Sequence, residues 1–257
     1  MCHGGAVGDT RSELAGKIAL VTGGSRGMGR EMVEAFAAAG ATVVIASRKL
    51  DSCEELAESV RARFGATALP VACNVSSWSD CDALIDIVYR EFGRVDVLVN
   101  NAGLSPLYPS EDAVTESLFD KVIGVNLKGP FRLAAEIGTR MMAAGGGTII
   151  NVSSAAAIRP HPGELPYAAA KAGLNTLTEG LAQAFAPGVR VNCIMAGPFR
   201  TDISKAWTPE VVSSLERKVA LGRIGSASEI VGAAMYFATS ASSFTTGAIL
   251  RVDGGMA

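Results

Sequence analysis

The sequence predicts an α/β protein with one doubly wound parallel sheet, helices on both of its faces, and a single domain. The chain has 257 residues, of which 49% are hydrophobic, and a chain of this size can bury one large core. Short apolar, β-branched runs alternate with longer stretches of helical period, as in repeated strand and helix units. The runs consist almost entirely of Val, Ile and Leu, which is typical of strands covered by helices on both sides.

The first five elements are expected in the order strand, helix, strand, helix, strand. Gly40 is the expected end of the first helix, and Asp51 is the expected N-cap of the second. The elements so predicted are a strand over 17–23, a helix with Met32, Val33 and Phe36 on one face, a strand over 41–47, a helix with Leu56, Val60 and Phe64 on one face, and a strand over 67–75.

The same alternation continues to the end of the chain, with one longer insertion before the last helix and strand. The predicted elements are a helix with Leu84, Ile85, Val88 and Phe92, a strand over 95–100, a helix near 131–142, a strand over 147–154, a long helix with Leu174, Leu177, Leu181 and Phe185 on one face, a strand over 189–195, and a final strand within 247–255.

Composition excludes several classes of protein. The net charge of −2 leaves no broad basic field for nucleic acid, and no apolar run is long enough to span a membrane. Residues 1–15 lack the pattern of a signal peptide and are expected to form a flexible arm before a domain over 16–257. The scattered cysteines and two distant histidines indicate neither a disulfide framework nor a metal site, and a soluble, cytoplasmic protein is expected; the cysteines are Cys2, Cys53, Cys73, Cys81 and Cys193.

A glycine-rich stretch, VTGGSRGMGR over 21–30, lies on the first strand-to-helix turn. In a doubly wound sheet this turn meets the pyrophosphate of a dinucleotide, because glycines allow close approach and the helix N-terminus attracts an anion. The spacing Gly23-x-x-x-Gly27-x-Gly29 differs from the common G-x-G-x-x-G fingerprint. The alternative interpretation is a tight turn with a purely structural role.

Basic residues stand where NAD-binding folds usually place an acid, at the end of the second strand. Arg48 and Lys49 would attract a 2′-phosphate, and Arg26 in the glycine turn would approach it from the other side. We therefore expect NADP(H) as cofactor, with NAD(H) as the less favoured choice. The alternative is that Arg48 and Lys49 are ordinary solvated surface charges.

Tyr167 and Lys171 are four residues apart on the predicted long helix and so share one face. A nearby ammonium favours the phenolate, so Lys171 is expected to lower the pKa of Tyr167 and allow it to exchange a proton. Ser153 and Ser154 end a strand where the ligand crevice should lie. His161, six residues before Tyr167, lies in a proline-rich loop without a nucleophile elbow, so we assign it to the surface or to a substrate loop.

Taken together, these motifs resemble the short-chain dehydrogenase/reductase family, in its single-domain branch of about this length. The resemblance runs from about residue 16 to the C-terminus. It rests on the glycine turn, on NNAG at 100–103, on Asn126 in GVNLKG, on Ser154 placed 13 residues before Tyr167, on YAAAK, and on VDGG near the end. It implies a Rossmann-like fold.

The resemblance also implies roles for individual residues. Tyr167 would be the general acid/base, Lys171 would bond the nicotinamide ribose, Ser154 would hold the substrate oxygen, and Asn126 would support a water-linked proton relay. The family often has proline at the position of Ala196, so that turn is expected to be looser here, and often aspartate at that of Asn74. The expected cofactor contacts are Gly23, Ser25, Arg26, Gly27, Met28, Gly29, Ser47, Arg48, Lys49, Asn74, Val75, Asn100, Asn101, Ala102, Gly103, Tyr167, Lys171, Ile194, Gly197 and Thr201.

The resemblance assigns residues 199–223 to a lid over the substrate, with Phe199, Ile203 and Trp207 as an apolar wall beside Ser154 and Tyr167. The leading hypothesis is an NADP(H)-dependent carbonyl reductase or alcohol dehydrogenase acting on a small molecule, assembled as a homotetramer through its long helices. A second is a 3-oxoacyl-thioester (acyl-carrier-protein) reductase, for which the loose candidates for a basic docking patch are Arg132, Arg140, Arg159 and Arg200. A third, of another class, is a non-catalytic dinucleotide-sensing or scaffold protein.

Overall fold

A computed structural model describes residues 13–201, 204 and 207–256. Its main sheet is parallel throughout and has the order β3-β2-β1-β4-β5-β6-β9. The strands, with the short pair β7 and β8 that forms a separate sheet, are β1 Ile18–Thr22, β2 Thr42–Ser47, β3 Ala68–Ala72, β4 Val97–Asn100, β5 Gly147–Ser154, β6 Val189–Ala196, β7 Phe199–Arg200, β8 Gly225–Ser226 and β9 Ile249–Val252. The predicted doubly wound parallel sheet is confirmed.

Helices cover both faces of this sheet. They are α1 Gly27–Ala38, α2 Leu50–Phe64, α3 Trp78–Phe92, α4 Glu116–Ile123, α5 Gly129–Ala143, α6 Leu165–Ala184, α7 Pro209–Lys218 and α8 Val231–Ala238. One core lies between the sheet and α1, α2 and α8, with Phe36 and Phe237 among its largest buried side chains. The other lies against α3 and α5, where Leu84 and Leu133 are fully buried. The strand order reverses between β1 and β4, which places a crevice at their carboxyl ends.

The buried face predicted for the first helix is confirmed, whereas the N-cap predicted for the second helix is wrong. Met32, Val33 and Phe36 are all fully buried, as expected from their spacing. The first helix ends at Ala38, and Gly40 follows with a φ of +91°, a conformation that favours glycine. The prediction of Asp51 as N-cap is wrong: α2 begins at Leu50 after Lys49, so Asp51 lies in the first turn, where its charge meets the positive end of the helix dipole.

Several elements of the structure were not predicted, among them the strand pair β7 and β8 and three helical segments. Helix α4 and a π-helical segment over Gly124–Lys128 precede α5, and helix α7 lies inside the proposed lid. Ile203, part of the predicted lid wall, lies outside the described residues, as does most of the predicted N-terminal arm. At the described end of that arm Leu14 is buried, and its N–H donates to the Ala39 carbonyl at 3.0 Å, so this residue already packs on the domain.

The described helices include none that is both long and apolar enough to cross a membrane. Cys53, Cys73, Cys81 and Cys193 are free, buried thiols. Within the described ranges, no three potential metal-ligating side chains form a group.

Candidate active site

A cleft of about 620 Å³ opens at the carboxyl ends of the central strands. Its wall contains all the expected cofactor contacts except Lys49, Asn100 and Ile194. Ser154, Tyr167, Phe199 and Trp207, the expected substrate contacts that the structure describes, also belong to the wall. Sequence positions far apart therefore converge on one site, as the topology of a doubly wound sheet requires.

Backbone conformation explains the glycine turn. Gly23 and Gly27 have φ values of +61° and +54°, which side-chain-bearing residues rarely adopt. A Cβ on Gly29 would lie 2.2 Å from the Gly23 carbonyl oxygen. Helix α1 begins at Gly27, so its first N–H groups lie at the cleft, where a phosphate would be stabilised.

The turn is held in place by the NNAG segment after β4. The Asn101 amide donates to the carbonyl oxygens of Thr22 at 2.9 Å and Gly23 at 3.2 Å. In the other direction, the Thr22 hydroxyl accepts from the N–H groups of Asn101 and Ala102. Thr22 was not among the residues predicted from sequence, although it immediately precedes the glycines. The NNAG segment thus lines the cleft and also holds the glycine turn in place.

Basic side chains stand beside the end of β2. Arg26 and Arg48 both line the cleft and are exposed, and the Ser25 hydroxyl donates to the Ser47 hydroxyl at 3.1 Å, joining the glycine turn to this strand end. Neither Arg48 nor Lys49 forms an ion pair with a described carboxylate. Lys49 is exposed but lies outside the wall.

Asn126 lies behind the wall, on the π-helical segment. Its side-chain amide donates to the carbonyls of Leu104 at 2.8 Å and Val122 at 2.9 Å, and its oxygen accepts from the Leu104 N–H at 3.3 Å. The side chain is fully buried. It therefore joins the loop after β4 to α4, and its side-chain hydrogen bonds are directed to the main chain.

Asn100 also lies behind the wall. It belongs to a chain of buried polar side chains that runs from the sheet to α6. Its amide donates to the Asn151 side-chain oxygen at 3.0 Å, and the Asn151 amide donates to the Thr178 hydroxyl at 2.9 Å. These bonds connect β4, β5 and α6, so Asn100 steadies the strand from which the NNAG segment emerges.

Tyr167, Lys171 and Ser154 meet on the opposite side of the cleft from the glycine turn. Tyr167 and Lys171 lie on one face of α6, with the Lys171 ammonium 5.7 Å from the centre of the tyrosine ring. That ammonium donates to the Val152 carbonyl at 2.7 Å, which fixes it against β5. Ser154 ends β5 and hydrogen-bonds to Tyr167, whereas the Ser153 hydroxyl donates to the Lys171 carbonyl at 3.2 Å and has a structural role.

Burial dominates the pKa values of this group. It raises the pKa of Tyr167 to about 12, with the Glu164 charge adding to the rise and the Ser154 hydrogen bond opposing it. It lowers the pKa of Lys171 to about 8, against the opposing influence of Cys193. The expected lowering of the tyrosine pKa by Lys171 is therefore not observed, because loss of solvation outweighs the attraction of the ammonium.

The part of the cleft near Ser154 and Tyr167, where a substrate is expected, combines apolar walls with two charged residues. Phe199 is only 6% exposed and also packs into the core, while Trp207 is partly exposed. Arg159 and Glu164 line the same region, and Glu164 was missed by the sequence interpretation. The available signal was its place three residues before Tyr167, in a loop that we had already assigned to the surface or the substrate.

Two segments differ from the family pattern. Ala196 is buried at the end of β6, and the N–H of the following Gly197 donates to the Val252 carbonyl at 2.9 Å, which ties this turn to β9. The Asn74 side-chain oxygen accepts from the Ser76 N–H and hydroxyl, which shapes the loop after β3. His161 is exposed, as predicted, and its Nδ1 accepts from the Gly163 N–H.

The proposed basic docking patch does not assemble. Arg132 pairs with Asp82 and Glu136, and Arg140 lies near Glu136 on the same helix. Neither belongs to the cleft wall, and Arg200, also outside the wall, is 3.5 Å from Glu216. Arg159 is the one member of the four that lines the cleft.

Comparison with known proteins places this architecture among known dehydrogenases and reductases. A family model described as Enoyl-(Acyl carrier protein) reductase matches residues 23–257. The chain is 35% identical to D-threitol dehydrogenase of Mycolicibacterium smegmatis over 94% of this chain and 93% of that one. It is 40% identical to 3beta-hydroxysteroid dehydrogenase 1 of Eggerthella lenta over 95% of each. A gluconate 5-dehydrogenase from Burkholderia cenocepacia, solved with NADP and tartrate, superposes with a TM-score of 0.90 at 34% identity, over 96% of this chain and 97% of that one.

Proposed function

The chain belongs to the short-chain dehydrogenase/reductase family of oxidoreductases, and we propose that it transfers a hydride between NADP(H) and a carbonyl or secondary-alcohol substrate. The observation that carries the proposal is the meeting of Ser154, Tyr167 and Lys171 in one cleft with the glycine turn. The family binds a nicotinamide dinucleotide, and the positive φ angles of this turn and the start of α1 fit its phosphates.

The nicotinamide ring, when bound, supplies or accepts the hydride. The protein's own task is to handle the accompanying proton and to hold the substrate oxygen. In reduction, the Tyr167 hydroxyl gives its proton to that oxygen as negative charge develops on it, and the Ser154 hydroxyl donates a preorganised hydrogen bond. Lys171, fixed by its bond to the Val152 carbonyl, supplies positive charge beneath the phenol ring and would bond the ribose.

The preference for NADP(H) is supported by charge. Arg48 lines the cleft just after Ser47 at the end of β2, where the 2′-position of the adenosine ribose would lie, and Arg26 lines it from the adjoining glycine turn. A guanidinium binds phosphate through strong, charge-assisted hydrogen bonds, whereas a ribose hydroxyl is better bound by an acid. The NADP found in the related gluconate 5-dehydrogenase accords with this choice.

Substitution of Tyr167 tests the mechanism. Tyr167→Phe should lower kcat by about 10²–10⁴-fold, since the proton donor is lost while the ring remains. Binding of NADPH, measured by fluorescence titration, should change by less than about twofold. Tyr236→Phe is the matched control, because Tyr236 bonds to Thr245 outside the cleft and its loss should leave turnover unchanged. Undiminished turnover of Tyr167→Phe would remove the proposed mechanism.

A thioester substrate is the second candidate, and the description of the matching family model favours it. Its support from the site is Arg159 alone, since the other basic candidates lie outside the cleft wall. A panel of ketones, hydroxyketones, ketosteroids and 3-oxoacyl thioesters, followed by NADPH absorbance, separates these substrates. A dinucleotide sensor without catalysis would show binding and no turnover; the intact set of Ser154, Tyr167 and Lys171 argues against it.

We also propose a homotetramer assembled through the long helices, in the cytoplasm. Phe119 on α4, Phe131 on α5 and Leu165 at the start of α6 are exposed apolar side chains, and surfaces of this kind favour association. The four described cysteines are buried and form no disulfide with one another, which accords with a reducing compartment. Sedimentation or light scattering gives the assembled mass directly.

A further inference from the structure

One carboxyl group lies in the substrate end of the cleft and has no part in the proposed proton transfer. Glu164 immediately precedes α6, three residues before Tyr167, and lines the same wall as Ser154 and Trp207. It is partly buried there, and its charge reaches the Tyr167 hydroxyl. A half-buried carboxyl group that faces a cleft is unusual unless something bonds to it.

The described residues leave most of its hydrogen-bonding capacity unused. Glu164 forms no ion pair with a described lysine or arginine, including Arg159, which lines the same cleft. The Ser105 hydroxyl bonds to it, and His161 acts on it electrostatically. Burial raises its pKa, which shows incomplete solvation. An ionised carboxyl group has about four acceptor sites, so the side chain can still accept from a ligand in the cleft.

The loop that carries Glu164 is held by Tyr108. The Tyr108 hydroxyl donates to the Pro162 carbonyl at 2.6 Å and accepts from the Leu165 N–H at 2.8 Å, one bond on each side of Glu164. The Glu164 N–H donates to the His161 carbonyl at 3.0 Å. The carboxyl group is therefore positioned by its own backbone before any substrate arrives, as a specificity residue needs to be.

We propose that Glu164 determines substrate specificity by accepting a hydrogen bond from a second hydroxyl group of the substrate, close to the carbon that reacts. The inference rests on the proposed function. Residues three apart at a helix start are neighbours, so a substrate whose reacting oxygen meets Tyr167 and Ser154 brings its adjoining carbons to Glu164. A substrate hydroxyl group at that position donates a hydrogen bond to the Glu164 carboxylate. A hydrogen atom in its place leaves the carboxylate without a partner, and an anionic group is repelled by its charge. The substrate class is a neutral hydroxyketone, or the corresponding vicinal diol.

The test compares ketones that differ by one group. Wild type, Glu164→Ala and Glu164→Gln are assayed with NADPH on acetoin and 2-butanone, on 2-hydroxycyclohexanone and cyclohexanone, and on the anionic 2-oxobutanoate. Wild type should prefer the hydroxylated member of each pair by about 10–100-fold in kcat/KM. Glu164→Ala should reduce that preference to within about threefold by losing the hydroxyketone activity, with 2-butanone little affected. Glu164→Gln should keep part of the preference and gain activity on 2-oxobutanoate.

Glu58→Gln, on the exposed side of α2 and outside the cleft wall, is the matched control and should leave all five activities unchanged. The inference is overturned if wild type does not prefer hydroxyketones, or if Glu164→Ala loses activity equally on both members of a pair, which would indicate a structural role. Absence of turnover with every carbonyl in the wider panel would instead overturn the proposed function itself. The two failures are thus distinguishable.

Discussion

At the scale of single residues, the proposed proton chemistry depends on Tyr167 and Lys171, whose pKa values burial shifts in opposite directions. Tyr167, with its pKa raised to about 12, carries its proton at every physiological pH and is ready to donate in reduction. Lys171, with its pKa lowered to about 8, is mostly charged at neutral pH and loses its charge just above it. Over the accessible pH range, Lys171 therefore changes its charge, whereas Tyr167 keeps its proton.

This difference predicts the pH profile of reduction. Values of kcat/KM should be constant between about pH 6 and 7.5 and fall above about pH 8, up to tenfold per pH unit, because the ammonium stabilises the phenolate left after proton donation. The sign follows from the lysine: its folded-state pKa of about 8 lies below the ordinary 10.5, so the charge is lost as the pH rises through 8. Initial rates with NADPH measure the profile.

Lys171→Arg provides the control, since a guanidinium stays charged throughout this range. Its overall activity should be lower because the bond to the Val152 carbonyl is re-formed with different geometry. The fall above pH 8 should nevertheless disappear. If the variant retains the fall, another group causes it; if wild type shows no fall up to pH 10, the lysine charge is not required.

Gly29 gives a second prediction at this scale. In Gly29→Ala the new Cβ would lie 2.2 Å from the Gly23 carbonyl oxygen and 2.5 Å from the Asn101 amide nitrogen, so the turn and its clamp must shift. We expect a loss of about 1–3 kcal/mol in the free energy of unfolding, measured in urea, together with weaker NADPH binding. Gly232→Ala is the control: it lies exposed within α8, and its Cβ would meet no atom within 4 Å. It should stabilise by about 0.5–1 kcal/mol, and an equal loss in both variants would contradict the steric argument.

At the scale of elements, the start of α6 decides how the site is arranged. The helix carries Tyr167 and Lys171, and Tyr108 bonds to the backbone at its first residue, Leu165. A displacement of this helix start would move the phenol and the Glu164 carboxyl together. Tyr108, although its hydroxyl does not reach the cleft chemistry, therefore acts as a positioning residue.

Tyr108→Phe should reduce kcat/KM for the carbonyl substrate by about 5–20-fold, mainly through KM, because two hydrogen bonds that fix the loop are lost. The dissociation constant for NADPH should stay within about twofold, since the nucleotide end of the cleft is distant from the loop. Tyr89→Phe, on α3 and outside the wall, should alter neither value. Equal losses in cofactor and substrate binding would point to general destabilisation and contradict a positioning role.

The elements that the sequence predicted are those with a strong apolar period. The strands β1, β2 and β4 are rich in Val, Ile and Leu, and α1 to α3 bury regular stripes such as Leu84, Ile85 and Val88. Helix α7 was not predicted because none of its residues is buried, so it has no buried apolar stripe. Helix α4 is short and buries one residue, Val122. The π-helical segment begins at Gly124, where a Cβ would lie 2.9 Å from the Ser76 Cβ, and no apolar period reveals such close packing.

The residues of the site likewise fall into those that the sequence predicted and those that it did not. The phosphate turn and the Tyr167 group were predicted because glycine, arginine and tyrosine have chemistry that their spacing exposes, and the cleft brings them together. Thr22 was missed because its hydrogen-bond partner Asn101 is distant in sequence. Glu164 was missed because its place in the cleft wall depends on how the loop before α6 folds. The direction of the Tyr167 pKa was predicted wrongly because burial is a property of the assembled fold.

At the scale of the whole molecule, the cleft joins the two halves of the sheet. Its nucleotide end is built from the loops after β1 and β2, and its reactive end from those after β5 and β6, with the NNAG loop between them. A dinucleotide that spans the switch point contacts both halves only when the chain is folded. Binding must therefore stabilise the native state by mass action.

Thermal unfolding measures this linkage and the cofactor preference without relying on turnover. NADP⁺ at about 100 times its dissociation constant should add about 2.7 kcal/mol and raise Tm by about 5–10 °C for a chain of this size. At the same concentration NAD⁺ should raise it less, because the Arg48 guanidinium has no 2′-phosphate to bind. Arg48→Ala should reduce the NADP⁺ shift to that of NAD⁺, whereas Lys49→Ala, an equally exposed cation outside the wall, should preserve most of it. A larger shift with NAD⁺, or an NADP⁺ shift that survives Arg48→Ala, would contradict the assignment of the 2′-phosphate to this strand end.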